Sequence, residues 1–246
     1  MIILKFKKKY LSVYQVFFAK KPNFYNWLTT YYIQALSKDD FIGFKRTPKY
    51  TKIIDLTVGD FEKNFDKNTS YEIRRAIKDE VVCQVSNNLL EFILMYNNFV
   101  VDKGLTTKIS EDEMLCYSES LILTNGRKLT GENLVYHSYI VDESLKRVRL
   151  LHSTSKIYSQ NELASEKAFV GRANRLLHLS DMNYFRDKGY EIYDFGGYAF
   201  ETSDSSLKGI NAFKDSFGGE LKEESVYEAI PKYFLRKIIT IFKRHN

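Results

Sequence analysis

Two side chains stand where this sequence could move a proton. His137 lies in the alternating run Leu134–Val141, and an imidazole with an unperturbed pKa of about 6.5 suits a general base at neutral pH. The competing reading is a core histidine held by a backbone carbonyl. Asp194 closes the β-type run Tyr190–Phe195 just before Gly196-Gly197. A carboxylate there could orient or deprotonate a nucleophile, or it could simply cap the glycine turn. His152 and His178 read as a strand-end histidine and a helix histidine with structural or solvated roles. No G-x-S-x-G occurs, so a nucleophilic serine on a strained elbow is not expected. Cys83 and Cys116 are the two cysteines. They form no C-x-x-C and have no histidine at zinc-ligand spacing, so neither a metal nor a disulfide framework is expected.

The composition sets the frame for these residues. The chain has 246 residues, 44% of them hydrophobic and 28% charged, which is globular and not disordered composition. Three prolines and twelve glycines leave no linker-like stretch, so one domain spanning 1–246 is expected, with a helical, basic lead-in over 1–50 and an amphipathic helix over 230–246. The net charge of +6 favours an anionic partner such as a phosphorylated substrate or a membrane surface. No run of about 18 apolar residues is present to span a bilayer, and no secretory leader is recognised. A cytoplasmic protein with reduced thiols is the expectation.

The elements that must position His137 and Asp194 follow from pattern. Ile53–Leu56 and Val81–Val85 read as strands, with a helix from Ser70 and another over Leu89–Val101 that stops before Gly104. Met114–Thr124 reads as a strand ending in an Asn125-Gly126 hairpin turn. Leu134–Val141 and Val148–Ser155 complete an antiparallel meander of three or four strands. A long helix over 162–186 follows, closed by Gly189. Tyr190–Phe195 is then a strand, Ser205–Ser216 a helix, Ser225–Ala229 a last strand, and Tyr233–Arg244 a basic amphipathic helix.

Several segments in this order share one resemblance. They are Tyr71-Glu72-Ile73-Arg74-Arg75-Ala76, Gly189-Tyr190-Glu191-Ile192-Tyr193-Asp194-Phe195-Gly196-Gly197 and Phe213-Lys214-Asp215-Ser216-Phe217-Gly218-Gly219. Together they resemble the I-R-R-A helix, the G-Y-x-x-Y-D-F-G-G strand and the F-K-x-x-F-G-G turn of the Fem-type branch of the GNAT acyltransferase superfamily. The resemblance runs from about residue 50 to 230. It implies an α+β fold whose mixed, mostly antiparallel central sheet splays between its fourth and fifth strands, with an acyl thioester in the gap. That gap is expected between Leu150–Ser155 and Tyr190–Asp194.

The resemblance also assigns roles. Ser153 and Ser155 would lie beside the donor carbonyl, and Gly171-Arg172-Ala173-Asn174 would be the turn that receives a pyrophosphate. Ala168 stands three residues before Gly171, where many GNAT enzymes place Arg or Gln, and this bears on the identity of the donor. Tyr198 would protonate the departing thiolate. Lys214 would bind acceptor phosphates, with Arg74 and Lys208 as secondary partners.

Three functions follow as expectations. In the first, an acyl group passes from acyl-CoA to the amine of a nucleotide-linked amino-dideoxy sugar used in surface polysaccharide, by direct attack of the amine. In the second, a Fem-type transferase takes an aminoacyl group from tRNA to a peptidoglycan precursor, its basic ends (Lys5–Lys9 and Arg236–Arg244) touching a membrane. In the third, the fold is kept as a non-catalytic binding module. DNA is not an expected partner, and self-association is left open.

Overall fold

The computed structural model describes residues 1–8, 10–156 and 164–244. The chain divides into two compact units, one of residues 1–51 and 221–246, the other of residues 52–220.

The first unit begins with β1 (Ile2–Lys8) and β2 (Leu11–Phe17), an antiparallel pair, followed by β3 (Thr30–Ala35) parallel to β2. β10 (Glu220–Ala229) runs antiparallel to β3, and α6 (Ile230–Arg244) continues directly from it. The helical lead-in expected over 1–50 is therefore a set of strands. Its period explains why: Ile2 and Leu4 are buried while Ile3, Lys5 and Lys7 are exposed, a repeat of two that no helix can satisfy. The helix expected at the other end of the chain is present.

In the second unit the order is β9-β8-β7-β6-β5, comprising β5 (Val82–Ser86), β6 (Leu121–Arg127), β7 (Asn133–Asp142), β8 (Arg147–Ser155) and β9 (Ile192–Tyr198). β6 to β8 form the expected antiparallel meander, with β5 added beside β6, and β9 joins β8 in parallel; the strand expected over Met114–Thr124 begins only at Leu121, and Met114 and Leu115 are helical. β4 (Phe44–Asp55) enters this unit at its end, where Leu56 N–H donates to Glu191 O at 2.8 Å. The helices are α1 (Lys67–Lys78), α2 (Leu89–Asp102), the short α3 (Glu111–Leu115), α4 (Ala164–Asp187) and α5 (Ser205–Asp215). Asp66 caps α1 by accepting from Thr69 N–H, so the helix starts one turn before Ser70.

Two apolar layers enclose the meander. On one face α1 and α4 pack Ile73, Ala76, Leu177, Met182 and Phe185 against Val135, Tyr139, Val148, Leu150, Tyr193 and Phe195. On the other, α2 and α3 pack Phe92 and Met114 against Leu123 and Tyr136.

The hairpin expected at Asn125-Gly126 lies three residues further on. Both residues sit inside β6, paired with Gln84 and Cys83 on one side and Tyr136 and Val135 on the other. The turn is made by Lys128–Glu132, closed by Lys128 N–H to Glu132 O at 2.9 Å, with Gly131 at φ +92°. Gly126 serves packing instead: a Cβ there would lie 2.8 Å from Val135 Cγ2. A turn-forming pair and a close-packed pair look alike in sequence.

Two irregularities shape the centre of the unit. Ser138 pairs with His152 but Tyr139 with Leu150, leaving Leu151 as a bulge that turns His152 away from the α4 face. The β8–β9 ladder holds only Arg147↔Ile192, Val148↔Tyr193 and Arg149↔Asp194, although β8 runs on to Ser155. Gly196, at φ +71°, makes the last close approach, since a Cβ there would lie 3.0 Å from Leu150 O. The expected splay is present, but its β9 side is displaced. Ile192–Asp194 is the paired part, and the gap opens beyond Leu150 and Gly196.

Gly219 tests this packing. At φ +74°, with a would-be Cβ 2.2 Å from Ile53 O, Gly219→Ala should cost at least about 2 kcal/mol in urea denaturation.

Candidate active site

Beneath α4 the sheet carries a closed network of buried polar groups. Asp181 Oδ2 accepts from Thr124 Oγ1 at 3.0 Å and Tyr139 Oη at 2.6 Å, and bonds to His137 Nδ1 at 2.8 Å. His137 Nε2 bonds to Asn174 Oδ1 at 2.8 Å. Tyr139 Oη meets Tyr193 Oη at 2.7 Å, and Tyr193 Oη meets His178 Nδ1 at 2.7 Å. The chain from Asn174 to His178 thus runs unbroken through two histidines, two tyrosines and one carboxylate. Burial, reinforced by the His137, Lys214 and Arg175 charges, holds the His178 pKa well below its usual value, so the ring is neutral. Burial and the Asp181 charge push Tyr139 well above the usual phenol range. Both tyrosines stay protonated and can relay hydrogen bonds.

This arrangement encloses His137. It is fully buried, both ring nitrogens are engaged, and its ring lies 4.2 Å from that of His178. A base must reach the proton it takes. His137 holds α4 to the sheet instead, which is the core reading with side-chain partners in place of a backbone carbonyl.

Asp194 is likewise committed. Its Oδ2 accepts from Arg147 Nη2 at 2.6 Å and Nε at 3.2 Å, and its Oδ1 accepts from Gly196 N–H at 2.7 Å. Both side chains are shielded from solvent. The bond to Gly196 N–H is the capping contact weighed for Asp194.

The open part of β8 lies alongside. Ser153 and Ser155 face the α4 side opposite His137 and Val135, half-buried at the strand edge beyond the β9 ladder. Lys214, from α5, is 9% exposed, and its Nζ donates to Gly196 O at 3.4 Å and to Gly197 O. Burial lowers its pKa to about 8, with the Asp194 carboxylate opposing the shift and Arg149 adding to it. The structure thus puts Lys214 on the carbonyls at the mouth of the gap, not on an open phosphate-binding surface. Tyr198 donates to Asp215 Oδ2 at 2.9 Å, and its pKa is raised by burial and by that carboxylate.

The turn expected at 171–174 is not a turn. Gly171-Arg172-Ala173-Asn174 lies within α4, whose described residues begin at Ala164, so its N–H groups fall inside the helical ladder. Arg172 Nε and Nη2 donate to Asp79 Oδ2 at 3.0 and 2.9 Å, tying α4 to the end of α1. Ala173 is core, and Asn174 belongs to the His137 network. A 340 Å³ cavity near the start of α4 is lined by Asp79, Lys128, Ser165, Glu166, Phe169 and Arg172. Both of its cations already face carboxylates, Arg172 on Asp79 and Lys128 2.8 Å from Glu132. Arg74 and Lys208 are exposed on α1 and α5.

Sequence reasoning missed Asp181, Tyr139, Tyr193 and Arg147. One signal was available: His178 and Asp181, a turn apart in the long helix, share a face with Asn174. Nothing in the sequence pairs Arg147 with Asp194.

No protein-family model matches the sequence, and no curated protein matches it. Solved structures do. FemX aligns at 14% identity with a TM-score of 0.66, over 96% of this chain and 86% of that one. The chain has the GNAT fold. The C-terminal domain of a protein assigned as a lysylphosphatidylglycerol synthetase, from Agrobacterium fabrum, aligns at 14% identity and a TM-score of 0.55, covering 80% of this chain and 67% of that one. The lysylphosphatidylglycerol synthetase structure from Bacillus licheniformis aligns at 12% and 0.54, covering 87% and 72%.

Two substitutions separate scaffold from site. Asp181→Ala should cost about 3–5 kcal/mol in chemical denaturation, because it strands His137 and two hydroxyls in the core. Gly171→Ala should raise stability by about 0.5–1 kcal/mol, since only Arg175 Nη1, at 3.7 Å, lies near the new methyl. A gain of this size with unchanged ligand affinity is the expected result.

Proposed function

We propose that the protein is an N-acyltransferase in which the donor's acyl arm lies along the open edge of β8 and an amine attacks its carbonyl directly. The observation that carries this reading is the short β8–β9 ladder. Past Leu150, β8 has no β9 partner, and an amide-bearing arm could add there as a strand would. The C–N bond forms as the bond to the leaving group breaks. The amine gives up a proton, and the departing thiolate takes one. No covalent enzyme intermediate is needed, because holding the two reactants together supplies much of the acceleration.

Lys214 is the group placed to help this chemistry. A buried cation at the mouth of the gap stabilises negative charge developing on the carbonyl oxygen far better than one in water. Gly196 and Gly197 carbonyls aim it, and Arg149 and Asp194 set its charge balance. His137 and Asp194 are positioning residues in this scheme, and Tyr198 and the two serines remain at the rim as donors.

For the donor we retain acyl-CoA, and for the acceptor the amine of a nucleotide-linked amino sugar. An aminoacyl donor is the second reading, supported by two observations. The turn meant for the coenzyme A pyrophosphate is helix interior, and FemX aligns over nearly the whole chain.

Thiol release from acetyl-CoA over a panel of nucleotide amino sugars, run beside transfer of labelled amino acid from charged tRNA, tests both. Turnover with tRNA alone sinks the coenzyme A reading, and turnover with neither sinks acyl transfer. With the active pair, kcat/KM should fall as pH rises through about 8, where Lys214 loses its proton. Lys214→Met should lose about 100-fold or more and lose that alkaline limb. Because the folded pKa is depressed, Lys214 makes folding less favourable while protonated. Wild-type stability should therefore rise with pH above about 8 relative to Lys214→Met.

A further inference from the structure

The unit of residues 1–51 and 221–246 holds the chain's excess positive charge. It carries 16 Lys and Arg against 5 Asp and Glu, a net +11, whereas residues 52–220 carry 21 against 26, a net −5. An overall charge of +6 conceals two halves of opposite sign.

α6 concentrates this asymmetry. Its sequence, IPKYFLRKIITIFKR, contains five Lys or Arg and no acidic residue. At about 100° per residue, Ile230, Phe234, Leu235, Ile238 and Ile239 fall on one half of the helix, and Lys232, Tyr233, Arg236 and Lys237 on the other. A surface helix of a water-soluble protein turns its apolar half to the core. Here the apolar half is exposed instead; on the basic half Lys232 and Tyr233 are half-buried, and Arg236 and Lys237 are exposed. Lys232 Nζ stands 5.5 Å from the Tyr31 ring, Lys45 Nζ 6.0 Å from the Tyr233 ring, and Arg236 bonds to the buried carboxylate of Glu228. Meanwhile Phe234 and Leu235 are 58% and 59% exposed, and Ile238 and Ile239 49% and 48%.

The apolar surface continues from the helix onto a loop. Ile230 N–H donates to Gly43 O at 3.0 Å, and the preceding residue, Ile42, is 93% exposed. Phe24, whose ring lies within 3.0 Å of a Cβ at Gly43, also faces solvent, as does Tyr25. Aromatic and aliphatic side chains thus sit side by side on the most basic part of the molecule.

We infer that α6 lies flat in an anionic lipid surface, its apolar half in the acyl boundary and the surrounding Lys and Arg among headgroup phosphates. Apolar burial and attraction to anionic lipid both act in this geometry. The helix is not built to cross: no helix among the described residues is long and apolar enough to do so. A second copy is a poor cover, because it would press one +11 unit on another. Nucleic acid would use the cations but has no use for an aliphatic face. The inference rests on this unit alone and is independent of the acyl-transfer reading.

Cosedimentation of the full chain with phospholipid vesicles tests it. Vesicles with about one-third phosphatidylglycerol in phosphatidylcholine should bind at least about tenfold more protein than phosphatidylcholine alone, and salt should weaken the binding. Leu235→Ser with Ile238→Ser, which leaves the basic half intact, should weaken binding about tenfold or more with no loss of thermal stability. Lys237→Glu should weaken binding to the anionic vesicles and not to the neutral ones. Equal binding to both vesicle types, or wild-type binding by the double variant, overturns the inference. So does a dimer in light scattering that the double variant abolishes, which would make the face a contact between copies. Binding to RNA without binding to vesicles also overturns it and assigns the cations to nucleic acid.

Discussion

The separation of β8 from β9 depends on one buried ion pair. Arg147 and Asp194 meet on the same face of the sheet, one at the start of the short ladder and the other at its end. Withdrawing both charges from water is costly, and the pair is tolerable only because the carboxylate is fully satisfied. Arg147 takes one oxygen twice, and the Gly196 N–H takes the other. That last bond bends β9 at a glycine with positive φ, and the bend turns the next two carbonyls toward Lys214. Register, bend and placement of the lysine are thus consequences of one carboxylate. A buried pair is weak evidence for stability, but it is a good device for fixing a single register where a ladder of three residues could slip.

The two faces of the meander do different work. Under α4, the network from Asn174 to His178 satisfies its members internally, so that face is closed scaffold. At the bulge the strand reverses which residues it presents. His152 bonds to Ser138 Oγ and packs against Tyr96, its pKa lowered to about 4 by burial and by the Arg149 charge. It is therefore a neutral spacer at physiological pH. Of the four histidines in the chain, His137 and His152 stand on strands of this sheet, and His178, on α4, packs against it.

The sequence disclosed the elements whose periodicity is undisturbed by tertiary contacts. β7, β8, α2 and α5 lie within a residue or two of their expected bounds, because alternation, helical spacing and a closing glycine are local signals. At two glycines a distant contact overrode a local signal. Asn125-Gly126 reads as a turn until Val135 is known to press on Gly126. Gly171 reads as a phosphate turn until α4 is seen to extend before it. The N-terminal strands alternate too, but their pattern is short and interrupted by lysines. Of the candidate site, the sequence marked Asp194 and Lys214 but not the groups that hold them, Arg147 and two glycine carbonyls, which no motif announces.

The Gly43 carbonyl accepts two hydrogen bonds, from Trp27 Nε1 at 3.0 Å and from the first N–H of α6. Trp27 is the only tryptophan in the chain. Its indole therefore shares an anchor with the helix, and its emission is a built-in optical report on that junction, readable in the unmodified protein. Any event that loosens α6 from Gly43 changes the hydrogen bonding and the packing of the one strong fluorophore the molecule possesses.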